Sequence, residues 1–266
     1  MTVPCGPWVR RVRAEHPLVH NITNLVVMQI SANVLLAAGA SPVMAHAAEE
    51  AADMTRLAGA LVLNIGTLDP VWVSSMHLSA RQAQLDGVPV VLDPVGAGAT
   101  PYRTRVAMEL WQHGHPAVIR GNGGEIQALA GGTGTVRGVD AGADRATAAE
   151  VRRLADETRT IIAATGPVDV VSDGTRTARV ANGHPLLTQV TGTGCSLSGL
   201  VGAFLAVASP AERLEATVAA LVYFEVAAER AAAGARGPGS FHAALLDELA
   251  TVSEEQVDSA ARVTWE

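Results

Sequence analysis

Lysine is missing from this chain; all nineteen of its basic residues are arginine. That absence excludes a standard P-loop, which needs Gly-Lys-Ser/Thr, and every mechanism built on a lysine amine, pyridoxal-phosphate and Schiff-base chemistry included. Cysteine is scarce too: Cys5 and Cys195 lie far apart and offer no disulfide framework, so a reducing cytoplasm is the expected compartment. Charged residues make up 17% of the chain, the net charge is −7 and no basic patch dominates, which argues against nucleic acid as a partner. The longest apolar runs, around 197–208 and 216–228, are too short to cross a membrane, and Glu225 interrupts the second. They read as buried helices. Arg10, Arg11 and Arg13 are followed by His16, Asn21, Thr23 and Asn24, which is no signal peptide.

What the chain does have is apolar mass: 48% of 266 residues are hydrophobic, enough for one sizeable core. We read 1–266 as a single domain. Short apolar runs without alternation, at 61–65, 88–92, 117–120 and 161–165, predict buried strands. Helical spacing between them predicts helices at 26–38, 71–85, 106–112, 124–130 and 147–158. Residues 168–172 and 177–180 predict a hairpin around Asp173-Gly174, and further helices are expected near 194–207, 210–233 and 241–252. This order predicts an α/β fold whose central, mostly parallel sheet carries helices on both faces. The glycine-rich stretch 131–144 reads as a loop, and the polar tail after Ser253 as frayed.

In such sheets ligands sit beyond the C-terminal ends of the strands. Polar and glycine residues gather there: Asn64, Gly66 and Thr67; Asp93 to Gly96; Arg120, Gly121, Asn122 and Glu125; Thr165 and Gly166; and the turn Thr191-Gly-Thr-Gly-Cys-Ser196. A helix starting at Gly194 or Cys195 places unpaired N–H groups and a positive dipole end beside a glycine-framed turn. The product is an anion pocket suited to phosphate. A tight turn with a buried cysteine is the structural alternative. Asp93 is a candidate for holding Mg²⁺ or, equally, a turn carboxylate. Glu125 either supports a magnesium shell or completes a capping box with Asn122. Arg120 ends an apolar strand, where its fork suits phosphate or a structural ion pair. The histidines show no metal spacing. His20 and His46 are candidates for lining a site, with a satisfied structural role as the alternative. Met28, Met44 and Met54 read as core.

Six blocks, in order over roughly residues 17–205, carry a resemblance. They are Pro17-Leu-Val-His-Asn-Ile-Thr-Asn24, Ala40-Ser-Pro-Val-Met-Ala-His46, Leu63-Asn-Ile-Gly-Thr67, Val91-Leu-Asp-Pro-Val-Gly-Ala-Gly-Ala-Thr100, Arg120-Gly-Asn-Gly-Gly-Glu-Ile126 and Val190-Thr-Gly-Thr-Gly-Cys195. Together they resemble the hydroxyethylthiazole kinase family. The resemblance implies a ribokinase-like fold, ATP-dependent phosphorylation of 4-methyl-5-(2-hydroxyethyl)thiazole in thiamine salvage, and a homotrimer with active sites between subunits. By matching motif it implies thiazole contacts at Met44 and Gly192, with Asn24 and Gly66 as further candidates. It implies ATP contacts at Arg120 and Thr165, with Asp93 and Glu125 helping to place Mg²⁺. Cys195 stands where the wider superfamily usually carries Asp. Catalysis is then expected from Cys195 and the amides around Gly192 and Gly194. The helix terminus is expected to lower the thiol's pKa enough for a modest thiolate fraction. Ala47-Ala-Glu-Glu50 departs from the Ala-Pro-Glu-Glu expected there. Other small-alcohol kinases of the superfamily, an ATP-dependent NAD(P)H-hydrate dehydratase and a non-catalytic nucleotide-binding regulator are the competing readings.

Overall fold

Apolar strand residues and the helices between them dictate a layered arrangement, because each strand must bury both faces. The computed structural model describes residues 4–131 and 146–266. Its helices are α1 (Gly6–Glu15), α2 (Met28–Ala38), α3 (Ala51–Leu57), α4 (Pro70–Asp86), α5 (Pro101–Gly114), α6 (Gly123–Ala130), α7 (Ala148–Thr158), α8 (Thr193–Ala206), α9 (Arg213–Gly234), α10 (Pro238–Thr251) and α11 (Glu254–Ala260). Its strands are β1 (Leu18–Ile22), β2 (Ser41–Val43), β3 (Ala60–Asn64), β4 (Val90–Asp93), β5 (Val118–Asn122), β6 (Ile161–Thr165), β7 (Asp169–Ser172), β8 (Thr177–Val180) and β9 (Val263–Trp265). Except for Gly131, the loop expected over 131–144 lies outside the described residues.

Among the described residues one sheet runs β2-β1-β3-β4-β5-β6-β7-β8-β9. The first six strands are mutually parallel, and the last three pair antiparallel. Alternate strand residues leave by opposite faces. Val19, Val62, Val91, Val118 and Val171 join the core that contains Phe204, Tyr223, Phe224 and Phe241, residues of α8, α9 and α10. Leu61, Leu63, Val90, Leu92 and Ile119 join the other, with Met76 and Leu110 of α4 and α5. The expected α/β architecture is therefore observed.

Helix α8 lies close on the middle of the sheet. A Cβ at Gly202 would come within 2.8 Å of Val62 Cγ2, so the absent side chain permits that approach. This seating carries the start of α8 to the C-terminal edge of the parallel strands.

The frayed tail is a reading the structure corrects. Residues 254–260 form α11, and 263–265 pair with β8 in the register Val180↔Val263 and Ala178↔Trp265. Two tertiary contacts outweigh the segment's polarity: Val257 is fully buried, and Asp258 Oδ1 accepts the backbone N–H groups of Cys5 and Gly6 at 2.6 and 2.7 Å. The C-terminal region thus caps the first helix. Asp258→Ala leaves both donors without that acceptor and should cost about 1–3 kcal/mol in urea unfolding, with catalytic constants unchanged.

Candidate active site

The six parallel strands end on one edge, and polar residues stand at those ends: Asn24 beyond β1, Gly66 beyond β3, Asp93 at β4, Arg120 near the end of β5 and Thr165 at β6. Alpha-helix α8 starts beside them. Its N-cap is Gly192 at φ +91°, and a Cβ there would lie 2.7 Å from Ile30 Cγ2. Only glycine meets both demands. Among the described residues no side chain caps α8, whereas Asp69, Thr100, Asn122 and Thr147 each cap their own helices. The N–H groups at the start of α8 remain available to an anion.

Beside this turn lies the guanidinium of Arg120. A Cβ on Gly194 would sit 3.0 and 3.1 Å from its two terminal nitrogens. Arg120 is nearly buried. Its Nη2 donates to Thr165 Oγ1 at 2.6 Å, Thr165 donates on to the Gly121 carbonyl at 3.3 Å, and Nη1 is 3.7 Å from Asp93 Oδ2. The ion pair offered as the structural alternative therefore exists, yet among the described residues Arg120 Nε has no hydrogen-bond partner.

Asp93 is wholly buried. Its Oδ2 accepts from Asn64 Nδ2 and Ser198 Oγ, each at 2.8 Å, while Oδ1 has no hydrogen-bond partner among the described residues. Burial pushes its pKa up to about 6; Glu125 adds to the rise, and Arg120, Ser198 and Asn64 oppose it. Asn64 continues the network: its Oδ1 accepts from Asn24 Nδ2 at 2.8 Å and from the Gly66 amide at 3.0 Å. A Cβ at Gly66 would fall 2.5 Å from Asn24 Nδ2, so this turn too requires a glycine. Asn24 Nδ2 also reaches Cys195 Sγ at 3.5 Å.

The expectation of a partly ionised Cys195 is corrected here. Burial, and after it the nearby Asp93, push the thiol up to about 11, which outweighs the helix terminus. At neutral pH Cys195 is a thiol. Glu125 forms the expected capping box: Oε2 accepts from the Asn122 amide at 2.8 Å and the Glu125 amide donates to Asn122 Oδ1 at 2.9 Å. Its other oxygen accepts from the Gly96 amide at 2.8 Å, which ties the β4 loop to α6. Met44 follows β2 and is half-buried, one strand outward from Asn24. His20 is a satisfied core histidine, bonded to Thr55 Oγ1 and the Ala45 carbonyl. His46 packs against Trp72 in a tilted arrangement, ring centroids 4.3 Å apart and planes at 40°, and lines a cavity of about 610 Å³ with Leu25 and Thr67.

Three participants escaped the sequence reading. Ser198 stands one helical turn beyond Gly194, a spacing that could have flagged it. Glu225 was read only as a break in an apolar run. It lies buried beside Asp169, whose Oδ1 accepts from the Gly166 amide at 2.8 Å. Burial raises both acids, and the neighbouring Asp169 raises Glu225 further, behind the Thr165–Gly166 turn.

A mostly parallel sheet brings an arginine, a buried carboxylate and open helix amides to one edge, an arrangement with the chemistry to hold a phosphate group. A ribokinase-like superfamily protein from Enterococcus faecalis shares the fold (TM-score 0.65, 16% identity, 91% of this chain and 89% of that one). The model of the hydroxyethylthiazole kinase family matches residues 9–255, and the chain belongs to that family. Hydroxyethylthiazole kinase of Pyrococcus furiosus is 51% identical over 98% of both chains. The solved structure of the Pyrococcus horikoshii protein of that name superposes with a TM-score of 0.90 at 50% identity, again over 98% of each. These matches also decide against the competing enzyme readings.

Asp93 yields a paired test. Its carboxyl titrates near 3.8 unfolded and about 6 folded, so the folded state holds the proton more tightly. Stability from this group is therefore lost as pH rises from 4 to 6, by about 3 kcal/mol in order of magnitude. Asp93→Asn should lower kcat/KM by about 10²-fold or more. Its melting temperature at pH 8 should nonetheless equal or exceed the wild type's, with the advantage gone at pH 4.

Proposed function

We propose that this protein transfers the γ-phosphoryl group of ATP, in line, to the hydroxyl of 4-methyl-5-(2-hydroxyethyl)thiazole in thiamine salvage. The observation that carries the reading is the uncapped start of α8 beside the Arg120 guanidinium. Phosphoryl transfer asks for alignment and for charge stabilisation on the moving oxygens, with little covalent work. The amides of residues 193–195 and Arg120 supply that charge from fixed positions. Thr165 holds the arginine and, with Asp93, lines the nucleotide side. Met44, Asn24, Gly66 and Gly192 border the thiazole side.

Mg²⁺ fits the residues present. Asp93 Oδ1 is an open, buried oxygen, and Glu125 adds a second carboxylate nearby. Magnesium sites of this kind use one or two carboxylates and the nucleotide's own phosphates. When bound, the ion supplies charge neutralisation. The chain's own groups do the orienting.

Cys195 lies where the alcohol would enter, but a protonated thiol is a poor acceptor. A loose transition state loses the alcohol proton late, so a strong base is not required. The proposed assembly is a homotrimer with the site between subunits. In its support, Leu25, Val26 and Val71 are 66%, 67% and 64% exposed, and Leu25 and Val71 border the His46–Trp72 cavity. Sedimentation should give three times the chain mass. The cytoplasm is the proposed compartment.

The direct test follows thiazole-phosphate formation from labelled ATP, with and without Mg²⁺. Product should form only when alcohol and divalent ion are both present; ATP binding without alcohol-dependent turnover would refute the reading. An essential general base costs about 10²–10⁴-fold on removal. Cys195→Ala should instead lose less than tenfold in kcat, and a dead, folded variant would restore the thiol to a central role.

A further inference from the structure

Arg103 breaks a local rule. It stands in the first turn of α5, three residues after the cap Thr100, where the helix dipole disfavours a cation. Among the described residues no carboxylate pairs with it within 4.0 Å. Its guanidinium instead donates to three backbone carbonyls: Nη1 to Ile65 at 2.9 Å and to Val95 at 2.8 Å, and Nη2 to Gly66 at 2.8 Å.

Those carbonyls belong to different loops. Ile65 and Gly66 follow β3 in the turn that holds Asn24 through Asn64. Val95 follows Asp93 in the β4 loop, whose Gly96 amide is bound by Glu125. Gly96 itself sits at φ +74°, and a Cβ there would lie 3.1 Å from Arg103 Cδ. Beside this fork the Ile65 amide donates to the Asp93 carbonyl, at the end of β4, at 3.3 Å.

We propose that Arg103 is a positioning residue: its fork ties the β3 and β4 loops together and so fixes the distance between the alcohol-side asparagines and the carboxylate side of the site. The proposal rests on the kinase reading for its catalytic consequence, though not for its structural one. A planar guanidinium with donors in fixed directions can hold acceptors from two loops at once; a lysine ammonium does not reproduce that geometry. Displacement of reacting groups by about 1 Å costs roughly 10²-fold.

Two measurements on the full chain test it. Arg103→Met should lower kcat between about 10- and 100-fold and raise the Mg²⁺ concentration needed for half-maximal rate. Arg103→Lys should fall between Met and wild type. Hydrogen exchange supplies the activity-independent arm. In either variant the segments 64–67 and 94–98 should exchange several-fold faster, while the middle of α8 and of α9 keeps wild-type protection. Faster exchange in proportion everywhere would reduce Arg103 to general stability and overturn the proposal. So would wild-type kcat, Mg²⁺ midpoint and exchange in Arg103→Met or, should that variant not fold, in Arg103→Lys. If the wild-type protein does not phosphorylate the thiazole alcohol, the functional reading fails by itself, and local exchange still decides the role of Arg103.

Discussion

A carboxylate buried away from the protein surface governs this site. Asp93 is fully buried, its Oδ2 is met by Asn64 and Ser198, and among the described residues its Oδ1 has no hydrogen-bond partner. An isolated charge in such a place is costly, and the protein offsets the cost only in part, with Arg120 3.7 Å away. The residual discomfort appears as a carboxyl that titrates near 6. The partial compensation matches the chemistry: an oxygen left open can meet a cation or a donor when substrates arrive. Stability is conceded where the reaction needs an unsatisfied group.

Around this centre the labour divides by element. Strand ends supply side chains at fixed spacing, and α8 supplies amides. The loops after β3 and β4 set how far apart the two sides of the site stand. Cys195 takes a smaller part than its place at the turn implies, because the burial that shields the site also keeps its proton on. In the proposed mechanism the rate is carried by preorganised dipoles and charges, which need no reorganisation at the moment of transfer.

Much of this was legible in the sequence, for definite reasons. The strand at 161–165 and the hairpin around Asp173-Gly174 announced themselves by unbroken apolar runs and turn chemistry, and both occur as read. The clustering of Asp93, Arg120, Thr165 and Cys195 followed from the rule that parallel sheets gather function at their strand ends. Elsewhere tertiary contacts overrode local pattern. Strand β1 carries His20 and Asn21 inside the core, so its polarity disguised it. The segment after Ser253 looked solvated, and only its contacts with Cys5, Gly6 and β8 explain its order. The thiol's ionisation was misjudged because a helix terminus is visible in a sequence, whereas desolvation and a neighbouring buried acid are not. Helical spacing could have flagged Ser198, whereas Arg103 and the Asp169–Glu225 pair act through three-dimensional neighbours that no spacing rule reveals.

The contact between Gly194 and Arg120 has a consequence for how such an enzyme can change. With the guanidinium about 3 Å from where a methyl would stand, the two positions form one hereditary unit. A bulkier residue at 194 is admissible only if 120 shortens, and a shorter residue at 120 forfeits the grip on Thr165. Neither can drift alone. Any lineage, natural or engineered, that remodels the start of α8 must change the two positions together.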